Sequence, residues 1–553
     1  MNRPLFLAAS VLALASAAHA SITLKVNTPD GATIHGEHKF VVTADATNLV
    51  TQVEFYVGDD LRGTDNSTPY EFTLDTLSEK EGNITVTFSG YTTEGESDKK
   101  TFTYKIDNGL GKGIDAHLAA AKAALTEKKW DEAMASAKVA LLIDPENNEA
   151  RMAMARANFG KGVTDLAQKY VEDVLASDPK NVAAQELLAG ININRAFNTF
   201  STGDRMATIE SIVASLKRAG ESRRQAMDDR IAAFGEVTDA NLYSYLDLLM
   251  EGGRYSIVIQ KLTPVADKDR QDSFASNYLM YAQMRAGRFA DAYARLKVFE
   301  RYGAPDVYTY ALKAILMQFF GEYDKALEAE REAILNDPSN AGVKYAQVYN
   351  ALSREDAGAL SRLLNDLQKN EVPSPLQDYY KSALQFRMQQ NNEAADSIRS
   401  SLLSNPGLYD AYIERANQII AYSQSSNLGQ EEANAQRTLA KGFLEAALAI
   451  KPESFEALTG LSNLSMLWNK DEDAVNYATA ATKAGPQYAP AFYALSASLL
   501  KVRRNADSNE ALKSAEKLDY YGLRGRPAPN PSQSWRYFYR AGRTPLIAPP
   551  AKG

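Results

Sequence analysis

The chain contains no cysteine. Disulfides, thiolate zinc sites, iron–sulfur clusters and cysteine nucleophiles are therefore excluded. Histidine is nearly as scarce, with 4 among 553 residues, so His-ligated metals and Ser–His–Asp catalysis have almost nothing to draw on. Positive charge is in deficit as well: 61 Lys and Arg stand against 69 Asp and Glu, a net charge of −8. Recognition of a polyphosphate backbone needs the opposite balance, so nucleic acid is not an expected partner. Past the N-terminus, no apolar run reaches the roughly 20 residues that a membrane-spanning helix requires. Neither a metal nor a cofactor is expected, and the chain reads as a non-enzyme. What remains is an ordinary folded composition, 45% hydrophobic and 24% charged, at a length suited to several domains or one long array.

Residues 1–20 read as an export signal. Arg3 supplies the positive start, the stretch 5–18 is apolar and rich in Leu and Ala, and Ala18-His19-Ala20 has the small-x-small form of a cleavage site. The mature chain is expected to begin at Ser21 and to reside outside the cytoplasm, in a bacterial periplasm, cell envelope or medium. An exported chain without disulfides must be held by core burial alone, which suits a bacterial envelope.

From 21 to 107 the apolar period is two. Ile22, Leu24 and Val26 alternate with polar residues, as do Val53, Phe55 and Val57, then Tyr70, Phe72 and Leu74. Ile84, Val86 and Phe88 follow the same rule, and so do Phe102, Tyr104 and Ile106. Alternate side chains of a strand point to one face, so each run offers an apolar side to a core. Turn residues at Pro29-Asp30-Gly31, Gly58-Asp59-Asp60 and Glu94-Gly95 separate the runs, predicting a small antiparallel β-sandwich. The stretch Val53 to Asp65, followed by Thr68-Pro69-Tyr70-Glu71-Phe72, resembles bacterial immunoglobulin-like domains. That likeness implies a spacer or adhesion module at the envelope. His35 and His38 do not make a metal site here, because i and i+3 on a strand face opposite sides. Residues 108–113, Asn-Gly-Leu-Gly-Lys-Gly, lack the spacing of a phosphate loop and read as a hinge.

Beyond Ile114 the chain is helical and repeats itself. Pro145 and Pro179 lie 34 residues apart, as do Pro452 and Pro486, and Tyr255, Phe289 and Tyr323 keep the same step. Opening the first repeat at Ile114 places later ones near Asn148, Asp239, Ser273, Val307, Ala341, Leu376, Tyr409, Phe455 and Ala489. The eighth position is then small at Ala121, Ala155, Ala314, Ala383, Ala416, Ser462 and Ser496, with Leu246, Met280 and Val348 as departures. On the second helix the matching small residues are Ala133, Ala167, Ala292, Ala326, Ala395 and Ala474. This pattern resembles tetratricopeptide repeats over 114–522. The fold class expected is mainly α: a tetratricopeptide-repeat solenoid preceded by the Ig-like sandwich. The register is irregular at 182–238, and a polar insertion lengthens one repeat at 423–430.

Stacked repeats bury a continuous core and leave a concave groove lined by first helices. The resemblance implies that positions two, five, nine, twelve and thirteen face that groove. They include Tyr243, Phe274, Asn277, Tyr281, Tyr308, Tyr345, Tyr349 and Tyr380. Amphipathic rings with a polar tip suit an interface, although tyrosines at helical spacing also serve as packing between repeats. The Lys and Asn set of the carboxylate-clamp version of the repeat is missing. The reading is a non-catalytic scaffold of the cell envelope that holds a protein or peptide partner in this groove. A carbohydrate-binding or polysaccharide-export component is the alternative, since tyrosine walls also stack on sugars, and a carboxylate-pair glycoside-active enzyme is a minor one. Residues 523–553 form a Pro- and aromatic-rich tail expected to be extended, and to cap the last repeat or serve as a docking peptide.

Overall fold

The computed structural model describes residues 22–198, 205–370, 373–424, 428–519 and 544–548. The expected signal at 1–20 therefore lies outside the described residues, as does most of the tail and part of both irregular stretches. The chain forms two compact units, Met1–Tyr170 and Val171–Gly553.

In the first unit, eight strands build two sheets: β1 (Ile22–Val26), β2 (Thr33–Ile34), β3 (Glu37–Ala46), β4 (Val50–Val57), β5 (Asp60–Asp65), β6 (Tyr70–Asp75), β7 (Gly82–Thr92) and β8 (Ser97–Ile106). One sheet runs β1-β3-β6 and the other β2-β8-β7-β4-β5. Every pairing is antiparallel except β2 with β8, where Thr33 and Ile34 run parallel to Lys105 and Ile106. That edge departs from the all-antiparallel expectation because the turn at Pro29-Asp30-Gly31 sends the chain from one sheet to the other. The alternating residues meet in one core, with Leu24, Phe40, Val53, Val86, Phe88 and Tyr104 fully buried. Phe40, Phe55, Phe72 and Phe88 interlock with ring centroids 5.4 to 5.9 Å apart, the spacing of favourable aromatic pairs. His35 is exposed, while the His38 Nε2 lies 2.9 Å from the Thr28 hydroxyl.

The stretch read as a hinge is pinned. The Asn108 carboxamide accepts from the Gly36 amide and the Thr76 hydroxyl, and Glu81 accepts from the amides of Asn108 and Leu110. Helices α1 (Ile114–Thr126), α2 (Trp130–Ile143) and α3 (Asn148–Gly160) follow, and α4 (Thr164–Ser177) crosses the unit boundary. His117 is buried, its Nε2 2.8 Å from the Gly109 carbonyl.

The second unit continues with α5 (Val182–Asn198), α6 (Arg205–Ala232), α7 (Leu242–Glu251), α8 (Tyr255–Lys268), α9 (Ser273–Arg285) and α10 (Phe289–Tyr302). Next come α11 (Val307–Phe319), α12 (Tyr323–Asn336), α13 (Ala341–Ser353), α14 (Ala357–Asn370), α15 (Pro375–Arg387) and α16 (Asn391–Ser404). The array ends with α17 (Tyr409–Ser423), α18 (Gln430–Ile450), α19 (Phe455–Leu467), α20 (Asp471–Ala484), α21 (Ala489–Lys501) and α22 (Asn505–Leu518). Side chains of Asn147, Asp272, Asp306, Asn340, Ser374 and Ser454 cap first helices by accepting from free amides of the first turn. Between the helices of a pair the chain passes through the left-handed region, at Gly253 (φ 68°), Gly287 (φ 70°) and Gly321 (φ 74°), where glycine costs nothing sterically.

The small residues of the register sit where helices cross. Ala121, Ala155, Ala314, Ala383, Ala416, Ser462 and Ser496 are fully buried, and so are Leu246, Met280 and Val348. The Ser462 hydroxyl donates to the Ala474 carbonyl at 2.8 Å, joining the two helices of its repeat. One position needs correction: Ala394, not Ala395, is the buried small residue of α16, because that helix starts at Asn391 and its fourth residue faces inward.

The two irregular stretches turn out to be one feature. The long α6 packs both on α5 and along the lengthened α18, and α6 and α18 share a core containing Leu216, Ala219, Phe443 and Leu444. Two glycines permit the approach. A Cβ on Gly220 would stand 2.6 Å from the Ala446 carbonyl oxygen, and one on Gly442 would stand 2.7 Å from the Val213 side chain. Arg223, itself buried, bridges Glu186 of α5 and Glu251 of α7 from the same helix. Among the described residues no helix is long and apolar enough to cross a membrane.

Candidate binding groove

Helices α9, α11, α13 and α15 pack side by side in the second unit. Each is a first helix, and residues at i and i+4 of a helix lie on one face, so a fixed register repeats the same face from helix to helix. Tyr281 on α9, Tyr308 on α11 and Tyr380 on α15 turn toward one line, and that line is occupied by the chain's own residues 544–548. The tail, expected to cap the last repeat or to serve as a docking peptide, has its described part bonded to α9, α11 and α15.

Four successive carbonyls of that segment each meet a side-chain donor. Arg285 reaches the Pro545 oxygen at 3.4 Å, and the Tyr380 hydroxyl donates to Leu546 at 2.7 Å. Tyr281 donates to Ile547 at 2.7 Å, and Tyr308 donates to Ala548. The side chains of Leu546 and Ile547 enter the main hydrophobic core, Ile547 retaining only 1% exposure. Burying two aliphatic side chains stabilises the seat by about 1.5–3 kcal/mol each, and each hydroxyl–carbonyl bond adds about 0.5–1.5 kcal/mol. Burial raises the pKa of Tyr281, Tyr308 and Tyr380 above the usual phenol value. They stay neutral, and a neutral phenol can donate.

At the Thr544 end lies a buried charge cluster. The Arg285 guanidinium grips Asp410 with two bonds, at 2.9 and 2.7 Å, and donates to the hydroxyls of Tyr255 and Tyr409. Lys451 sits 3.2 Å from the Tyr409 hydroxyl and 3.8 Å from Glu456, with its ammonium over the rings of Tyr255, Tyr409 and Phe455. Thr544 closes the cluster, accepting from Arg285 at 2.9 Å and donating to Glu456 at 3.2 Å. Burial works against the Arg285 cation, but Asp410 and the phenols of Tyr255 and Tyr409 outweigh it and hold it charged. Burial pushes the Lys451 pKa down, opposed by Glu456.

The remaining predicted groove residues are placed elsewhere or in support. Tyr345 and Tyr349 are buried in the main core, Tyr345 stacking toward Tyr380 with centroids 6.3 Å apart. Tyr243 and Phe274 form an edge-to-face pair 4.6 Å apart that packs on Tyr278, in a separate cluster. Asn277 donates to Asp306 and accepts from Thr309, tying α9 to the start of α11. Sequence reasoning missed the charge cluster, yet part of its signal was present. Arg285 stands at position thirteen of its repeat and Asp410 and Glu456 at position two of theirs, all groove positions by the same rule that selected the tyrosines. Chemically the site can hold an extended main chain. Neither His nor Cys occurs after His117, so it holds no imidazole base and no thiol.

Comparison with known families agrees with this architecture. Residues 23–87 match the model of the bacterial Ig domain, and residues 124–191 match that of the tetratricopeptide repeat. The chain thus carries an N-terminal Ig-like domain followed by a tetratricopeptide solenoid. No curated protein matches the chain. Among solved structures it is similar to a chain in the crystal structure of the APC/C hetero-tetramer Cut9–Hcn1, at 14% identity and a TM-score of 0.29, covering 73% of this chain and 87% of that one. It is also similar to yeast Tom70, at 12% identity and a TM-score of 0.32, covering 78% and 96%.

Proposed function

We propose that this protein is a non-catalytic scaffold of the bacterial cell envelope that binds a protein or peptide partner in the groove of its solenoid. Tetratricopeptide repeats are interaction modules, and the groove reads main chain. The observation that carries the reading is the row of side-chain donors on four consecutive carbonyls, a geometry that fits any extended segment and needs no reaction. Export rests on the N-terminal signal pattern, and the bacterial Ig domain suits the same location.

The test is recovery from the native envelope after mild cross-linking, with the unaltered chain and with Tyr281→Phe/Tyr308→Phe/Tyr380→Phe compared side by side. The expected result is a protein partner retained by the first and lost from the second. A glycan retained equally by both overturns it. N-terminal sequencing of the same material is expected to begin at Ser21, and recovery solely as the full-length cytosolic chain overturns the location.

A further inference from the structure

Because residues 544–548 sit on the very donors assigned to a partner, we infer that the C-terminal segment is a built-in ligand. It occupies the groove in cis, and outside partners are extended segments of the same chemistry that must displace it. This rests on the proposed function and extends it to the class of ligand.

The recognition chemistry is legible position by position. The first residue must offer a hydroxyl that both accepts and donates, as Thr544 does between Arg285 and Glu456. A proline suits the second position, since its fixed φ keeps the chain extended and its amide, which lacks a hydrogen, leaves no donor to satisfy. Two aliphatic side chains follow, because Leu546 and Ile547 enter the apolar core. Ile547 also has its amide within 3.4 Å of the Tyr281 hydroxyl, so both polar groups of that residue face one phenol. A small residue suits the fifth position, where Tyr308 takes the Ala548 carbonyl. Charged side chains are disfavoured at the aliphatic positions, because both enter the apolar core.

The segment cannot leave without consequence. Thr544 is the lid of a cluster holding two cations and two carboxylates, all buried. Its departure uncovers these charges to water or to the hydroxyl of an incoming ligand. The groove therefore exchanges one ligand of this chemistry for another rather than standing bare. A covalently attached segment competes at an effective concentration on the order of millimolar. If the segment's own intrinsic Kd is about 0.1 mM or tighter, it suppresses a competing free peptide at least tenfold.

The experiment uses the full-length chain and a fluorescein-labelled synthetic peptide with the sequence of residues 543–550. Anisotropy is compared for the unaltered chain and for Ile547→Asp, whose buried carboxylate expels the attached segment. Peptide affinity is expected to rise at least tenfold in Ile547→Asp, and to fall back at least tenfold when Tyr281→Phe, Tyr308→Phe and Tyr380→Phe are added. Equal affinity for the unaltered chain and Ile547→Asp, or no binding to folded Ile547→Asp, overturns the inference. If Ile547→Asp does not fold, hydrogen exchange on the unaltered chain decides. Slow exchange of the Leu546 and Ile547 amides, accelerated by excess peptide, supports it, and exchange as fast as an unstructured peptide overturns it. A concentration-dependent dimer that Ile547→Asp abolishes overturns occupancy in cis. Failure here is separable from failure of the scaffold reading. An envelope protein lost with the triple Tyr→Phe chain while the peptide never binds sinks this inference alone. Peptide binding with no envelope protein recovered sinks the scaffold alone.

Discussion

Arg285→Ala is the most informative single perturbation of the groove. The Arg285 side chain is 3% exposed and the Asp410 side chain 9%, so removing the guanidinium leaves a carboxylate buried without its forked partner. It also strips donors from Tyr255, Tyr409 and Thr544. Breaking a buried pair by removing one member costs about 3–5 kcal/mol. Lys451 shares the cluster and feels Asp410 electrostatically, which moves the expectation to the lower end, about 3 kcal/mol. Arg285→Lys keeps the charge but loses the planar fork, so its cost should be smaller. The decisive measurement is a double-mutant cycle in urea, with Arg285→Ala, Asp410→Ala and both together. If the pair is coupled as its geometry implies, the double variant is less destabilised than the sum of the singles by at least about 2 kcal/mol. Additivity within about 0.5 kcal/mol refutes the reasoning. The same variants report on the tail. Proteolytic release of the segment beyond Asp519 should speed up in Arg285→Ala, which has lost the Thr544 and Pro545 contacts, and unchanged release would count against the seat.

Three further outcomes follow from the packing and the phenols. Tyr281→Phe, Tyr308→Phe and Tyr380→Phe each remove one donor from a carbonyl of the seat, at a cost of about 0.5–1.5 kcal/mol, whereas Tyr308→Ala also empties an aromatic site, at about 3–5 kcal/mol. Thermal midpoints should rank the variants in that order, and equal midpoints would refute the assigned roles. Gly220→Val drives a branched side chain into the Ala446 backbone and should cost at least about 1–3 kcal/mol, separating α6 from α18, with a midpoint no lower than the parent as the refuting result. Burial pushes Tyr104 and Tyr243 up to about 12 from an ordinary value of 10.0 and raises Tyr281, Tyr308, Tyr380 and Tyr409 as well. A raised folded value means that their stabilising contribution is full below pH 10 and is lost as pH rises through the folded values. Phenolate absorbance on alkaline titration should show a class of tyrosines that ionises only on unfolding, and a single native-state titration near pH 10 would contradict the burial.

Much of this architecture is local, and local physics is written along the chain. A strand alternates sides every residue, so Val53-Phe55-Val57 and Tyr70-Phe72-Leu74 announce a two-faced sheet without knowledge of their neighbours. A helical repeat reuses one crossing geometry, so small residues recur at Ala121, Ala155, Ala314 and Ala383, and left-handed turns recur at Gly253, Gly287 and Gly321. The inward face of Tyr281, Tyr308 and Tyr380 follows from the same register.

The residue pattern alone specifies the two domain types and the repeat step. What it left open depends on how small rotations between repeats add up. Only that accumulated curvature brings Arg285 to Asp410, 125 positions later in the chain, and Lys451 and Glu456 to the same buried cluster. It also brings α6 against α18, because a register counts residues along one helix and is blind to a partner met more than two hundred positions away. The tail is the extreme case. Tyr281 and Ile547 stand 266 positions apart, and Pro545-Leu546-Ile547-Ala548 carries no periodicity of its own. Its seat exists because the folded groove supplies donors in a row and an apolar floor, and these are assembled only after the repeats have stacked.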